Sequence, residues 1–218
     1  MILNVRIAVD SNLEYVQVLT GGIIDMNTFK LEPVDILVNV NDRNDPYSVA
    51  KRWCVGPYDH VFLYLGQMAI LTDSVVLRHP MLFESNGRGV VLQSLSNRFT
   101  QKVVVMRLKS EYDRRRIPCI LEEAIKLASD EKAYYDYYCL PLHIIPRILH
   151  EKFGMPIPVK YHRDERQVCS EAVNEVFIRG RLVDILPAGI VPLPGDFVSD
   201  SPLLEEVWRG SLSASEVF

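Results

Sequence analysis

The first half of the chain carries short runs of hydrophobic residues between turn-forming residues, a pattern typical of antiparallel strands. It predicts strands over residues 35–40, 61–65, 69–71, 81–84, 90–95 and 103–108. Gly66 is predicted to form a turn between the second and third of these strands, and Asn86-Gly87 is a strong hairpin signal. Residues 1–32 alternate more weakly, which predicts short strands around Gly21-Gly22.

Helical spacing of hydrophobic residues replaces this pattern in the second half. It predicts helices over residues 117–128, 142–153 and 169–179, after a shorter helix over residues 46–53. Asn44 or Asp45 is available to cap the short helix. Pro146 either starts or kinks the helix over residues 142–153. Gly180 is placed to end the helix over residues 169–179. The proline-containing tail is predicted to form extended pieces and turns.

Strands followed by helices, with few strand–helix–strand alternations, predict an α+β fold. The chain has 218 residues, of which 48% are hydrophobic, so a domain of this kind can bury a substantial core. We divide the chain into an N-terminal extension of short strands, residues 1–33, and a main domain, residues 34–218.

Charge and targeting signals narrow the function classes. The 24 Lys and Arg residues against 28 Asp and Glu residues give a net charge of −4, which provides no basic surface for nucleic acid. We find no signal peptide and no apolar stretch of about 18 residues, so neither export nor stable membrane insertion is expected. The four cysteines are far apart and form no C-x-x-C pair, which fits a reducing, cytoplasmic compartment.

Cys169 stands out because it coincides with the predicted start of a helix. A cysteine attacks as the thiolate, and the free N–H groups and the dipole at a helix N-terminus favour that negative charge. The thiol also needs a base, and His60 lies in an apolar segment that is predicted to be a strand. These two residues predict a thiol nucleophile site in which the backbone N–H of Cys169 faces the developing oxyanion.

The imidazole of such a site needs a third group that fixes its tautomer and orientation. Glu84 ends the next apolar strand, 24 residues after His60, a separation that suits a neighbouring antiparallel strand. His162 precedes Cys169 by only a few residues and is a weaker rival for the role of base. The other three cysteines are interpreted as small apolar side chains of the core.

Five segments resemble those of a known family, in the same order along the chain. They are residues 59–66 with His60, Glu84 near Gly87 and Gly89, Ala-Tyr-Tyr-Asp-Tyr at residues 133–137, Val-Cys-Ser-Glu-Ala-Val at residues 168–173, and Leu-Pro-Gly-Asp-Phe at residues 193–197. Together they resemble the circularly permuted NlpC/P60 cysteine hydrolases of the YiiX/YebB-like group, over roughly residues 34 to 207. These are papain-like α+β folds in which the histidine precedes the cysteine, the reverse of the papain order.

The resemblance implies a cysteine peptidase or amidase that cleaves a small peptide or amide through an acyl-enzyme, without a cofactor. A cell-wall-type peptide is one candidate substrate, although no export signal accompanies it. Carried over by position, the site residues are Cys169 as nucleophile, His60 as base, Glu84 as the orienting carboxylate, and Tyr58 and Ser170 as substrate or oxyanion contacts. Related lecithin:retinol acyltransferase-like proteins use a second histidine in the third role, and His79, in a predicted polar loop, is the candidate for it here.

Other functions stay open on the sequence alone. The same three residues suit acyl transfer or thioester hydrolysis on a lipid, and a catalytically inactive binding protein on the same scaffold is a further alternative. A metal site is not expected, because the histidines show no metal-binding spacing. They are His60, His79, His143, His150 and His162. The oligomeric state is not determined by the sequence.

Overall fold

The computed structural model describes residues 2–9, 12–19, 29–71, 76–87, 89–130, 133, 140–156, 168–180, 182, 185–186 and 191–217. The strands are β1 (Ile2–Val9), β2 (Asn12–Leu19), β3 (Ile36–Val40), β4 (Tyr58–Leu71), β5 (Val76–Asn86), β6 (Gly89–Ser94), β7 (Lys102–Leu108) and β8 (Leu204–Ser211). The helices are α1 (Pro46–Val55), α2 (Glu111–Arg114), α3 (Ile117–Ala128), α4 (Ile145–Phe153), α5 (Cys169–Arg179) and α6 (Asp196–Ser199). Gly21-Gly22, residues 134–137, Cys139 and His162 lie outside the described residues.

A six-stranded antiparallel sheet forms the centre of the fold, in the order β6-β5-β4-β3-β7-β8. β1 and β2 form a separate antiparallel pair. The sequence pattern predicts short strands around Gly21-Gly22, and both of these strands precede that dipeptide. A sheet with α3 and α5 against it makes the architecture α+β, as the order of strands and helices predicts.

The two faces of the sheet bury two separate sets of side chains, because successive residues of a strand point to opposite faces. Val61 and Leu63 of β4 pack in the core that contains α3 and α5. Phe62 and Tyr64 pack on the other face, in a core that also contains Leu31. Leu31 and Phe29, which precede position 34, therefore pack against this face of the main sheet. The Phe29 ring stacks on Trp208 with ring centroids 5.4 Å apart.

Local sequence signals explain the helix boundaries. Asp45 caps α1, since its Oδ1 accepts the backbone N–H of Ser48 at 2.9 Å. Pro146 lies in the first turn of α4, where its missing N–H costs no helical hydrogen bond, and it follows a π-helical turn over Leu140–Ile144. α3 and α5 have the boundaries that hydrophobic spacing predicts.

Gly66 does not form a turn, so that prediction is wrong. β4 runs through it without a break from Tyr58 to Leu71, and the register with β5 shifts between Tyr64 and Gly66. Gly66 has a φ of 86°, and a Cβ there would come within 3.1 Å of the Pro33 Cγ. The glycine is therefore a β-bulge that bends a long strand, a role that a turn signal does not distinguish.

Two further predictions are corrected by pairing along the sheet. His79 lies within β5, opposite Met68 of β4, and is not in a loop. The tail is not limited to extended pieces and turns, because β8 pairs with β7 as the edge strand. β8 is largely exposed and has only a weak alternation of buried and exposed positions, so its sequence carries little strand signal.

Along the described part of the chain, no helix has the length and apolar character needed to cross a membrane. Cys54, Cys119 and Cys169 are free thiols.

Candidate active site

Cys169 is the first residue of α5, and Val168 before it has extended backbone angles. The Glu171 side chain accepts the Val168 backbone N–H at 2.8 Å, which fixes the direction in which the chain enters the helix. Cys169 is 8% exposed. The fold thus places the thiol at the positive end of a buried helix, where a thiolate is favoured.

His60 and Glu84 lie on the adjacent strands β4 and β5, which pair antiparallel. His60 Nε2 is 3.0 Å from Glu84 Oε2. The Glu84 side chain is fully buried, whereas the His60 side chain is 20% exposed. A hydrogen bond through Nε2 leaves Nδ1 as the ring nitrogen available to another partner.

Cys169 is the partner there, since its charge interaction and hydrogen bonding with the His60 ring shift the pKa of both groups. Burial opposes charge on both groups, but their mutual charge interaction and hydrogen bond outweigh it and lower the pKa of Cys169. The same interaction, reinforced by Glu84, raises the pKa of His60 to about 9. Both shifts act in the direction that favours a thiolate–imidazolium pair.

Backbone amides contribute to the same stabilisation. Hydrogen bonding from the backbone amides of Val61 and Ser170 also lowers the pKa of the Cys169 thiol. The Cys169 N–H belongs to the first turn of α5 and has no acceptor within the helix. It is therefore the amide that can face an oxyanion formed beside the sulfur.

Glu84 has two partners that sequence reasoning missed. Asn86 Nδ2 donates to Oε1 at 2.9 Å, and Arg98 Nη2 donates to Oε2 at 2.6 Å. Burial alone would raise the pKa of Glu84, but the hydrogen bonds and charges of His60, Asn86 and Arg98 lower it to about 2. Asn86 was visible in the sequence as a turn residue, whereas nothing in the pattern connects Arg98 with this site.

The remaining candidates take other positions. The Tyr58 hydroxyl lies 3.4 Å from Arg209 Nη1 of β8. The Ser170 hydroxyl is buried and donates to the Pro192 carbonyl at 2.6 Å, so it is engaged in packing the chain around α5. His79 Nε2 is 2.6 Å from Ser94 Oγ. Of the predicted site residues, the structure therefore brings together Cys169, His60 and Glu84, whereas the side chains of Tyr58, Ser170 and His79 have other partners.

A polar cleft of about 750 Å³ opens beside the histidine. Its lining includes His60, Asn86 and Arg98 from the site. Further polar residues from β3, α1, β4 and β7 and the adjoining loops also line it, among them Asn39, Asp42, Arg43, Asp45, Lys51, Asp59, Gln101 and Lys102. Cys169 does not line this cleft, so the cleft presents the histidine side of the pair and not the sulfur.

No protein-family model matches the chain, and no curated protein matches it either. A solved structure does: metalloprotein YiiX from Escherichia coli O157:H7 is 16% identical and superposes with a TM-score of 0.52, over 84% of this chain and 100% of that one. The chain has a YiiX-like fold. At this level of identity the similarity concerns the fold alone.

YiiX is described as a metalloprotein, whereas the present chain offers no comparable set of ligands in its described part. Among the residues that the structure describes, no group of three or more His, Cys, Asp or Glu side chains is placed to hold a metal ion. The donors described do not fit a metal centre. No chemical step is therefore assigned to a metal.

Proposed function

We propose that this protein is a cysteine hydrolase, a peptidase or amidase, built on a circularly permuted NlpC/P60-type papain-like domain over residues 34–218. The observation that carries the proposal is the chain of contacts from the Cys169 thiol through His60 to the buried carboxylate of Glu84. The YiiX-like fold supports the YiiX-like group, and the order of histidine before cysteine in the sequence is the ground for the permuted arrangement.

In the first step, the Cys169 thiolate attacks the carbonyl carbon of an amide and a C–S bond forms. The negative charge moves to the carbonyl oxygen, which the Cys169 N–H stabilises. The His60 imidazolium then donates its proton to the amine as the C–N bond breaks. An acyl-thioester on Cys169 and a free amine result.

In the second step, neutral His60 takes a proton from water, and the hydroxide oxygen attacks the thioester carbonyl. The C–S bond breaks, the carboxylic acid leaves, and the thiolate–imidazolium pair is restored. Glu84 stays ionised throughout, because its role is to hold the imidazole through Nε2 so that Nδ1 faces the sulfur.

The cleft indicates which part of the substrate binds beside His60. His60 protonates the leaving amine, so a cleft on the histidine side receives the leaving group. Four cations and three carboxylates line it: Arg43, Lys51, Arg98, Lys102, Asp42, Asp45 and Asp59. A polar leaving group such as an amino acid or a short peptide suits this lining better than an apolar one.

The pH dependence of Cys169 alkylation by iodoacetamide tests the proposal. In the wild type, we expect a thiol pKa below the ordinary 8.5, because the imidazolium and two amides stabilise the thiolate. In His60→Ala, burial acts without the imidazolium, so the pKa should rise to 8.5 or above. Alkylation at pH 6.5 should then be slower by roughly tenfold or more.

Peptide mass spectrometry separates Cys169 from the other thiols in this experiment. His79→Ala is the matched control, because it removes a histidine of the neighbouring strand that contacts Ser94 and not the sulfur. An alkylation profile that is the same in the wild type and in His60→Ala would contradict the proposal. Turnover, once a substrate is found, should decline as the pH rises through about 9, where His60 loses the proton it donates.

A second candidate function is thioester hydrolysis or acyl transfer on a lipid, and one surface feature favours it. Trp53 of α1 and Phe153 of α4 are 60% and 62% exposed, and their ring centroids are 6.5 Å apart. Lys152 Nζ lies 4.9 Å from the centre of the Trp53 ring. Exposed aromatic rings beside a lysine are typical of proteins that contact a lipid surface.

Sedimentation with vesicles of neutral and of anionic lipid separates the two candidates. If the substrate is a soluble amide, we expect less than about a tenth of the protein to partition, because a single aromatic pair supplies little apolar area. Strong partitioning that is lost in Trp53→Ala would favour the lipid substrate instead. The control is Tyr112→Ala, which removes an exposed aromatic residue of α2. Trp208 does not serve as a control, because its ring packs against Phe29.

A further inference from the structure

Arg98 ends the 3₁₀ turn Leu95–Arg98, which follows β6 and brings the side chain back to the strand of Glu84. Arg98 Nη2 is 2.6 Å from Glu84 Oε2. The same oxygen also faces His60 Nε2, at 3.0 Å. One carboxylate oxygen therefore serves a permanent cation and the imidazole together.

A second contact places the guanidinium beside an aromatic ring. The Arg98 Cζ lies 5.4 Å from the centre of the Phe62 ring, and that ring lies 5.8 Å from the His60 ring. The Arg98 side chain is only 23% exposed. The cation–π contact and partial burial keep the guanidinium beside Glu84, where a lysine would present only a point charge.

The charge of Glu84 needs this partner at one stage of the reaction. His60 is cationic before it protonates the leaving amine and neutral afterwards. When His60 is neutral, a fully buried carboxylate would lose its charged partner on β4, and an unpaired buried carboxylate tends to take up a proton. Arg98 carries its charge at every stage, because a guanidinium does not deprotonate.

We infer that Arg98 is a positioning residue, which keeps Glu84 ionised and oriented while His60 gives up and regains its proton. The inference rests on the proposed function, in which His60 changes its protonation state. The proton that leaves His60 then goes to the amine and never to Glu84. A cation at this distance also makes the imidazolium a stronger acid, which favours its transfer of the proton.

Several groups face His60 and set its titration. Cys169 faces it from α5 and Glu84 from β5, while Asn86 and Arg98 both contact the Glu84 carboxylate. Asp59, which directly precedes His60 on β4, is paired with Lys51 of α1 at 3.4 Å and with Asn39 of β3 at 2.6 Å. Arg98 is the cation among these groups that shares its acceptor oxygen with the imidazole.

The test is the titration of the His60 ring by NMR in the wild type, Arg98→Met and Arg98→Lys. Loss of the cation should shift the midpoint upward by about one pH unit, because proton binding then also neutralises a buried carboxylate. Arg98→Lys should keep the midpoint near that of the wild type. Arg179→Met is the matched control, since it removes an arginine that pairs with a glutamate on the surface of α5.

A midpoint in Arg98→Met equal to that of the wild type would overturn the inference. If Arg98→Met does not fold, Arg98→Gln provides the same test, because it keeps an N–H donor without the charge. With a substrate in hand, kcat of Arg98→Met should fall about tenfold, since the proton-transfer step is affected. The titration tests the positioning role of Arg98 whether or not the protein hydrolyses amides. The alkylation profile tests the proposed function.

Discussion

Replacing Cys169 with alanine is expected to lower turnover of an amide substrate by a factor on the order of 10⁴ or more. The variant lacks the sulfur that forms the acyl-enzyme, and neither His60 nor Glu84 supplies another nucleophile. The fold should persist, because alanine at the start of α5 removes one buried atom and leaves the helix boundaries unchanged. The measurement is hydrolysis across a panel of dipeptides and small amides, with circular dichroism to verify folding.

The matched control for this variant is Cys119→Ala. Cys119 is a half-buried free thiol of α3, and it should tolerate the same change with little loss of activity. Turnover by Cys169→Ala equal to that of the wild type would exclude an acyl-enzyme at this position. The scaffold would then be better interpreted as a binding protein.

Replacing Asp196 with alanine is expected to lower the free energy of unfolding by about 3–5 kcal/mol. Asp196 belongs to the Leu-Pro-Gly-Asp-Phe segment, and its carboxylate forms two hydrogen bonds with Arg147 of α4, at 2.6 and 2.8 Å. It also accepts the Leu193 backbone N–H at 2.7 Å. Both charged residues are 6% exposed, so the substitution leaves a guanidinium buried without its main partner. Urea unfolding measures the loss.

Two further variants test the reason for that loss. Glu206→Ala breaks the exposed pair with Arg209 on β8 and should cost less than about 1 kcal/mol, because water screens that pair. Asp196→Leu combined with Arg147→Met removes both buried charges and should recover much of the stability lost in Asp196→Ala. A loss in Asp196→Ala no larger than in Glu206→Ala would show that the buried pair is not what anchors α4.

The site residues that the sequence predicted share one property: each stands at a position defined by local structure. Cys169 could be placed at a helix start because the hydrophobic spacing of the residues that follow it predicts where α5 begins. His60 and Glu84 could be connected because neighbouring antiparallel strands bring side chains of the same face together. Their contact distances are findings of the structure, whereas their catalytic roles are proposals that the experiments above test.

The residues that sequence reasoning missed or misplaced depend on contacts between distant segments. The Ser170 hydroxyl was considered as a substrate contact, but it is buried against the Pro192 carbonyl. Gly66 carries the same sequence signal in a bulge as in a turn, and only pairing with β5 distinguishes the two. β8 is held in the sheet by backbone hydrogen bonds to β7, which its own sparse hydrophobic pattern does not report.

By itself, the sequence determined the α+β class, the boundaries of α3 and α5 and the position of a cysteine at a helix start, because these follow from residue spacing within one element. The tertiary structure alone decided that Arg98 and Asn86 join His60 around Glu84. Arg98 reaches that carboxylate only after β5, β6 and the 3₁₀ turn have folded back on each other, and its charge is effective there because the carboxylate is buried. Hydrophobic spacing indicates which face of an element is buried. It does not indicate which polar side chains contact each other after the elements have packed together.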